Sequence, residues 1–291
     1  MIVEPAPAKL NLALHVRARR PDGYHEIETL FAFCRDGDLI ELEPASKNSF
    51  AITGPFAAAL AASSTPAQAG VQLDDGGDHW TDNLVTRAAD AFAAGYGIIR
   101  PHRITLTKNL PIASGIGGGS ADAAATLRAL ARLHTVPLAG SRLHAIAARL
   151  GADVPACLGG RTALGRGRGD ALRAIDGLPG TPTLLVNPGV PVSTAAVFAA
   201  WDRVDRGAIG EGDLLARARA GRNDLQAPAR ALAPAIDEIL ALLTAAPGIL
   251  LARMSGSGAT CFALFEDDAA RAAVADTART RGWWCLETAL A

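Results

Sequence analysis

The 291-residue sequence predicts an α+β fold of two domains, and three observations carry that expectation. Strand-like and helix-like segments succeed one another irregularly, without the repeated strand-helix units of a doubly wound sheet. Apolar residues make up 49% of the chain, enough to bury sizeable cores. The turn-rich run Pro179-Gly180-Thr181-Pro182 separates two such series and divides the chain into residues 1–178 and 179–291.

Near the start, Leu10, Leu12, Leu14 and Val16 alternate with Lys9, Asn11, Ala13 and His15, the period of a strand with one buried and one polar face. Lys9 and Asn11 accordingly point the same way. Pro21-Asp22-Gly23 reads as a turn, leading into an apolar segment through Phe33 and a strand over residues 39–43. Residues 45–80, rich in Ala, Ser, Gly and Asp and without a steady period, read as a strand near Phe50 followed by a long surface excursion. Helical spacing over 83–94, alternation over 103–108 and a helix over 120–133 come next. A helix over 138–150 is stopped by Gly151, and Asp153 with Pro155 announces another. The second part offers a strand at 183–186, helices over 193–201, 212–219 and 225–245, and strands at 249–254 and 261–265. A helix over 267–281 and a strand at 283–287 complete it.

Composition excludes several functions. A formal net charge of −1 gives no basic field for wrapping a nucleic acid, so any anion site is local. Cys34, Cys157, Cys261 and Cys285 are too scattered for a zinc motif or a disulfide scaffold and fit a reducing cytoplasm. The first residues, with an acid and two prolines, do not read as a secretory signal, and no run of about 18 uncharged apolar residues predicts a membrane span. His15, His79, His102, His134 and His144 show no ligand spacing, so no metal site is expected from them.

The chemistry concentrates in Pro111-Ile112-Ala113-Ser114-Gly115-Ile116-Gly117-Gly118-Gly119-Ser120-Ala121, placed directly before a strong helix. Glycines let successive backbone N–H groups converge on one oxyanion, and the helix adds the positive end of its dipole, so the run suits phosphate. No Lys-Ser or Lys-Thr pair follows, which rules out a Walker A loop, and the third glycine of a dinucleotide fingerprint would fall on Ser120. Lys9, one of three lysines, needs an anionic partner if enclosed, and Asp153 in Gly151-Ala152-Asp153-Val154-Pro155 either caps a helix or serves as a base. Phosphoryl transfer to a hydroxyl needs a carboxylate, a cation and a phosphate cradle, and these three elements would supply them. Tyr24 and His25, after the Asp22-Gly23 turn, are either hairpin residues or a stacking surface and hydrogen-bonding group for a base. Ser255-Gly256-Ser257-Gly258 reads as a tight connection or a second backbone clamp, and Asn223 as a helix cap.

Taken in order, Pro7-Ala8-Lys9-Leu10-Asn11-Leu12, Asp22-Gly23-Tyr24-His25, the glycine run, Gly151-Ala152-Asp153-Val154-Pro155 and Ser255-Gly256-Ser257-Gly258 resemble the GHMP small-molecule kinases. The resemblance implies a first domain like domain 2 of ribosomal protein S5, a ferredoxin-like second domain and an active site in a cleft between them. It implies ATP and Mg²⁺ as cofactors and, from the Tyr24-His25 pair, a small alcohol bearing a cytidine diphosphate as acceptor, on a route to isoprenoid precursors. Asp153 would take the hydroxyl proton, Lys9 would steady that carboxylate and the developing charge, and Ser114 to Ser120, within the nucleotide-binding run Pro111 to Ala121, would cradle the phosphates. Asn83 and Lys108 match positions near the adenosine. Tyr24 and Phe198 would sandwich the cytosine, His25 and Asn11 would hydrogen-bond to it and its surroundings, and Thr194 would face the substrate. The sequence departs from the family in a longer segment over 46–80 and in Asn187, where a histidine is usual before Pro188-Gly189. It also lacks an obvious metal-holding glutamate, so Mg²⁺ would arrive with ATP. Mevalonate, homoserine or a sugar as acceptor, or a nucleotide-binding module without catalysis, are the competing readings.

Overall fold

A computed structural model describes residues 1–63 and 83–291. The chain divides into two compact units assembled from separated segments. Met1–Ala6, Gly37–Ile112 and Gly118–Leu158 make the first, and Pro7–Asp36, Ala113–Gly117 and Gly159–Ala291 the second. Two long strands, β1 (Ile2–Arg19) and β2 (His25–Pro44), contribute residues to both. The apolar segment and the strand expected separately between 25 and 43 are thus one continuous strand.

In the first unit, residues 39–44 of β2 pair antiparallel with β4 (His102–Thr107), and β3 (Ser49–Thr53) lies parallel to β4. Ile40 and Leu42 alternate with Glu41 and Glu43, and Ile104 and Leu106 with Arg103 and Thr105, so the apolar set of each strand is buried on one face. The short helix α1 (Ala57–Ser63) after β3 was not signalled by periodicity, and the rest of the expected excursion, residues 64–80, lies outside the described residues.

Helices α2 (Leu84–Tyr96), α3 (Gly118–Leu133) and α4 (Ser141–Leu150) pack on one another. Asn83 starts α2 with a capping box: its side chain accepts from Val85, and Thr86 Oγ1 accepts from the Asn83 N–H. Alanines at 121, 123, 124, 125, 129 and 131 are buried along α3, and such small side chains allow close approach of its neighbours.

In the second unit β1 departs from the expected strand with one polar face. Residues 8–16 are buried on both faces, Lys9, Asn11 and His15 included, because each polar group has a partner inside the protein. His15 Nδ1 faces the Gly207 carbonyl at 2.9 Å, and its Nε2 accepts from the Arg222 N–H. Residues 29–31 of β2 pair with β5 (Ala163–Arg166), which pairs with β6 (Ala171–Ala174). The last residues return to β2: the Ala291 N–H donates to Phe33 O, Leu290 bridges Cys34, and Thr288 Oγ1 donates to Asp36 at 2.6 Å.

A separate antiparallel sheet runs in the order β10 (Trp284–Ala289), β7 (Pro182–Asn187), β9 (Cys261–Phe265), β8 (Ile249–Met254). With helices between β7 and β8 and between β9 and β10, this is the βαββαβ arrangement of a ferredoxin-like layer. Helices α6 (Thr194–Ala199) and α7 (Leu214–Ala220) begin at Ser193 and Asp213, whose side chains cap them. The single helix expected over 225–245 is instead two, α8 (Gln226–Leu232) and α9 (Ala235–Thr244). Pro234 disfavours a helical conformation in the residue before it, and Ala233 sits at φ −139°, ψ 85°. α9 packs on β8 and β9, and α10 (Asp268–Thr280) on β7 and β10, around a core that includes Leu184, Val186, Ile236, Ile239, Phe265 and Val274.

The first unit also holds a contact between the start of β4 and the residue after α3. His102 Nε2 and His134 Nε2 lie 2.9 Å apart with their rings edge-on, so one neutral imidazole donates and the other accepts. Burial, then the neighbouring His134 and Arg100, push His102 down to about 4. A histidine held below its unfolded value of about 6.5 contributes stability above that pH and loses it as pH falls from 6.5 toward 4. The melting temperature should therefore fall on acidification through this window, and His102→Gln should flatten the decline, as read by circular dichroism. An unchanged slope in the variant would contradict the assignment.

Candidate active site

The glycine run forms a loop between β4 and α3, with Ala113, Gly115 and Gly117 at φ +49°, +77° and +68°. Alternating left-handed residues turn successive amides to one side, the geometry of an anion-binding nest. The helix begins at Gly118, two residues before the expected Ser120, so Ser120 lies within its first turn and does not cap it. Outside the helix's own ladder, no backbone carbonyl among the described residues accepts from the N–H groups of 115–120. Gly119 is exposed and Gly117, Gly118 and Ser120 are half-buried, so these donors can be reached from solution. A phosphate chain fits this arrangement.

Within the second unit the loop is held by β1 and by the connection between β8 and β9. The Lys9 N–H donates to Ile116 O at 2.9 Å, and a Cβ at Gly117 would stand 2.9 Å from Lys9 Cε, so glycine there makes room for the lysine stem. The ammonium donates to Asn11 Oδ1 at 2.8 Å and lies 5.5 Å from the centre of the Phe31 ring. Asn11 Nδ2 in turn donates to Thr29 Oγ1, which donates to Ala13 O. Asn11 is therefore an orienting group for Lys9, buried with it.

Ser255 Oγ donates to Gly115 O at 3.0 Å and accepts from the Asn11 N–H at 3.2 Å. Asn223 accepts from Leu225 N–H, as a cap would, but its Nδ2 also donates to Met254 O and Gly256 O, each at 2.8 Å. Thr260 N–H donates to Ser114 O, and Asn187 Nδ2 donates to Thr260 Oγ1 while its Oδ1 accepts from Gly189 N–H. These roles for Asn223, Thr260 and Asn187 were not legible beforehand, because they join residues tens to hundreds of positions apart.

Tyr24 is exposed, with the Arg168 guanidinium 4.9 Å from its ring centre. His25 rests on Phe198, ring centres 4.8 Å apart, and meets Trp201 edge-on. Burial, then Arg19, lowers the His25 pKa, so the ring is neutral at pH 7 and offers both a donor and an acceptor. Thr194 is exposed, its hydroxyl 2.8 Å from that of Ser257.

Asp153, Asn83 and Lys108 belong to the first unit. Asp153 is half-buried directly before α5 (Val154–Gly159), its carbonyl accepting from Cys157 N–H. The Lys108 ammonium is already engaged by two carboxylates, Asp38 and Asp122, leaving one N–H for any further contact.

Two family models match the chain: the GHMP kinases N-terminal domain over residues 83–161 and the GHMP kinases C-terminal domain over residues 206–282. A relative from Rhizorhabdus wittichii named 4-diphosphocytidyl-2-C-methyl-D-erythritol kinase is 53% identical over 99% of this chain and 94% of its own. The chain belongs to the GHMP kinases. A relative of the same name from Sphingopyxis alaskensis is 50% identical over 97% of this chain and 96% of its own. The crystal structure of a 4-(cytidine 5'-diphospho)-2C-methyl-D-erythritol kinase, 34% identical, superposes with a TM-score of 0.74 and covers 99% of each chain. Homoserine kinase from Cytophaga hutchinsonii, 20% identical with a TM-score of 0.65 over 99% of this chain and 94% of its own, shares the fold. As a GHMP kinase the protein is an ATP-dependent phosphotransferase, and its α+β architecture is that of the family.

The loop's packing makes Gly115 the most demanding position. A Cβ there would lie 2.7 Å from Gly258 N and against Ser255 O, on a backbone already left-handed. Left-handed conformation alone costs a non-glycine residue roughly 1–2 kcal/mol. Gly115→Ala should lower unfolding free energy by at least that amount and weaken ATP, measured by urea denaturation and calorimetry.

Proposed function

We propose that this GHMP kinase transfers the terminal phosphoryl group of ATP to the 2-hydroxyl of 4-diphosphocytidyl-2-C-methyl-D-erythritol, a step toward isoprenoid precursors by the non-mevalonate route. The observation that carries the chemistry is Lys9, buried with its stem against Gly117 and its N–H on Ile116, where a cation serves a phosphate held by loop amides. The acceptor is argued from the name shared by relatives near 50% identity and from the His25–Phe198 contact beside Tyr24, which suits a pyrimidine.

Phosphoryl transfer passes through a loose transition state, so the protein's task is alignment and charge stabilisation. The amides of Gly115 to Ser120 hold the phosphates, Lys9 stabilises charge on the transferring group, and Asp153 orients the acceptor hydroxyl and takes its proton. Asn83 and Lys108 are the residues assigned to the adenosine end of the nucleotide. When bound with the nucleotide, Mg²⁺ supplies charge neutralisation at the phosphate oxygens. Tyr24, with Arg168 against its ring, is assigned with Phe198 to sandwich the cytosine, neutral His25 to read the polar edge of the base, and Thr194 to face the rest of the substrate. The functional division is 1–178 and 179–291, and the enzyme works in the cytoplasm on a small molecule, where its four free thiols stay reduced. Among the described residues no helix is long and apolar enough to cross a membrane.

Incubation with ATP, Mg²⁺ and the cytidine-linked alcohol should give ADP and the 2-phosphate, with mevalonate, homoserine and sugars turned over far more slowly in the same panel. Absence of turnover by folded protein would reject the proposal. Asp153→Asn should reduce kcat by roughly 10²–10⁴-fold, the range of general-base contributions, with ATP affinity within about threefold. For His25 the lowered pKa sets the direction: as pH falls from 6.5 through that value the ring gains a proton and an acceptor is lost. KM for the alcohol should rise there while KM for ATP stays level, and His25→Asn should remove the difference.

A further inference from the structure

Asp38, Lys108 and Asp122 form a buried charged group in the first unit, and the roles above use neither of its carboxylates. Lys108 immediately follows β4 and so precedes the glycine loop; Asp122 is the fifth residue of α3, just after it. The Lys108 ammonium donates to Asp122 Oδ2 at 2.8 Å and to Asp38 Oδ2, and the three side chains are 0–3% exposed. Asp38 Oδ1 accepts the backbone N–H groups of Asn109 at 2.6 Å and Leu110 at 2.8 Å. Gly118 belongs to the same arrangement, since a Cβ there would stand 3.0 Å from Lys108 Nζ.

Burying three ionisable groups is costly, and such groups are seldom retained for stability alone. Two carboxylates on one ammonium would leave an excess negative charge beneath the helix terminus that faces phosphate. Asp122 Oδ1 also has no hydrogen-bond partner among the described residues. Burial, only partly offset by Lys108, pushes the Asp122 carboxyl pKa upward, which lessens the excess negative charge of the group. Burial alone would pull the Lys108 ammonium down, but the two carboxylates outweigh that and leave it raised and charged.

We infer that Asp38 and Asp122 are positioning residues for nucleotide phosphate, acting through Lys108 to buckle the two ends of the glycine loop at the separation its amides need. The inference rests on the ATP-dependent reading above. Removing the Asp122 carboxyl frees one end of the loop, whereas asparagine keeps an oxygen acceptor for Lys108 without adding charge.

ATP binding by calorimetry, which needs no turnover, tests this. Asp122→Ala should weaken ATP about tenfold, the scale of one charge-assisted hydrogen bond, with the alcohol KM within about twofold, while Asp122→Asn stays within about threefold of wild type. Unchanged ATP affinity in folded Asp122→Ala, or an asparagine variant as impaired as the alanine one, would overturn the inference. Hydrogen exchange on wild type covers the case in which the alanine variant does not fold. Amides of 109 and 110 should be protected without nucleotide and those of 115–120 should gain protection on adding ATP; rapid exchange at 109 and 110 overturns the buckle. Wild type that binds no ATP would overturn the kinase reading together with the inference, whereas normal wild-type binding with an unaffected alanine variant removes the inference alone.

Discussion

An ammonium buried on an early strand is the constraint from which the second unit's site is built. Lys9 is 3% exposed, and a charge so enclosed must be met by polar groups or it would not persist. Asn11 meets it, Thr29 orients Asn11, and Ser255 ties the Asn11 backbone to Gly115. Glycine at 117 follows from the same requirement, because the lysine stem occupies the space a side chain would take. The phosphate cradle and the cation beside it are therefore one mechanical assembly.

Much of this was legible in the sequence because its signals are local. Alternation placed the strands, glycine and proline marked the turns, and the glycine run before a helix announced an anion site before any family was invoked. What stayed hidden depended on contacts distant in sequence. The alternation of β1 reads as half-polar, yet both faces are covered, and nothing within ten residues of His15 foretells Gly207 or Arg222 as its partners. The Pro234 break was written in the sequence and outweighed by an apolar period that continues across it, a case in which backbone chemistry overrides pattern. Asp38 gave no signal, lying between ordinary strand residues 70 positions from the lysine it holds.

The site also distinguishes two uses of buried polarity. Lys9 donates to the side-chain amide of Asn11, which Thr29 orients in turn. Around Lys108 the partners include two carboxylates, which offset its charge and convert a cation into a joint.

The return of the final residues to β2 bears on how the chain is made. Ala291, Leu290 and Thr288 bond to Phe33, Cys34 and Asp36, so a strand completed early in synthesis waits for its last partners until some 250 further residues have left the ribosome. During that interval the edge of β2 near residue 34 has no native neighbour on that side, and a nascent chain in this condition is an expected client for chaperones that shield open strand edges.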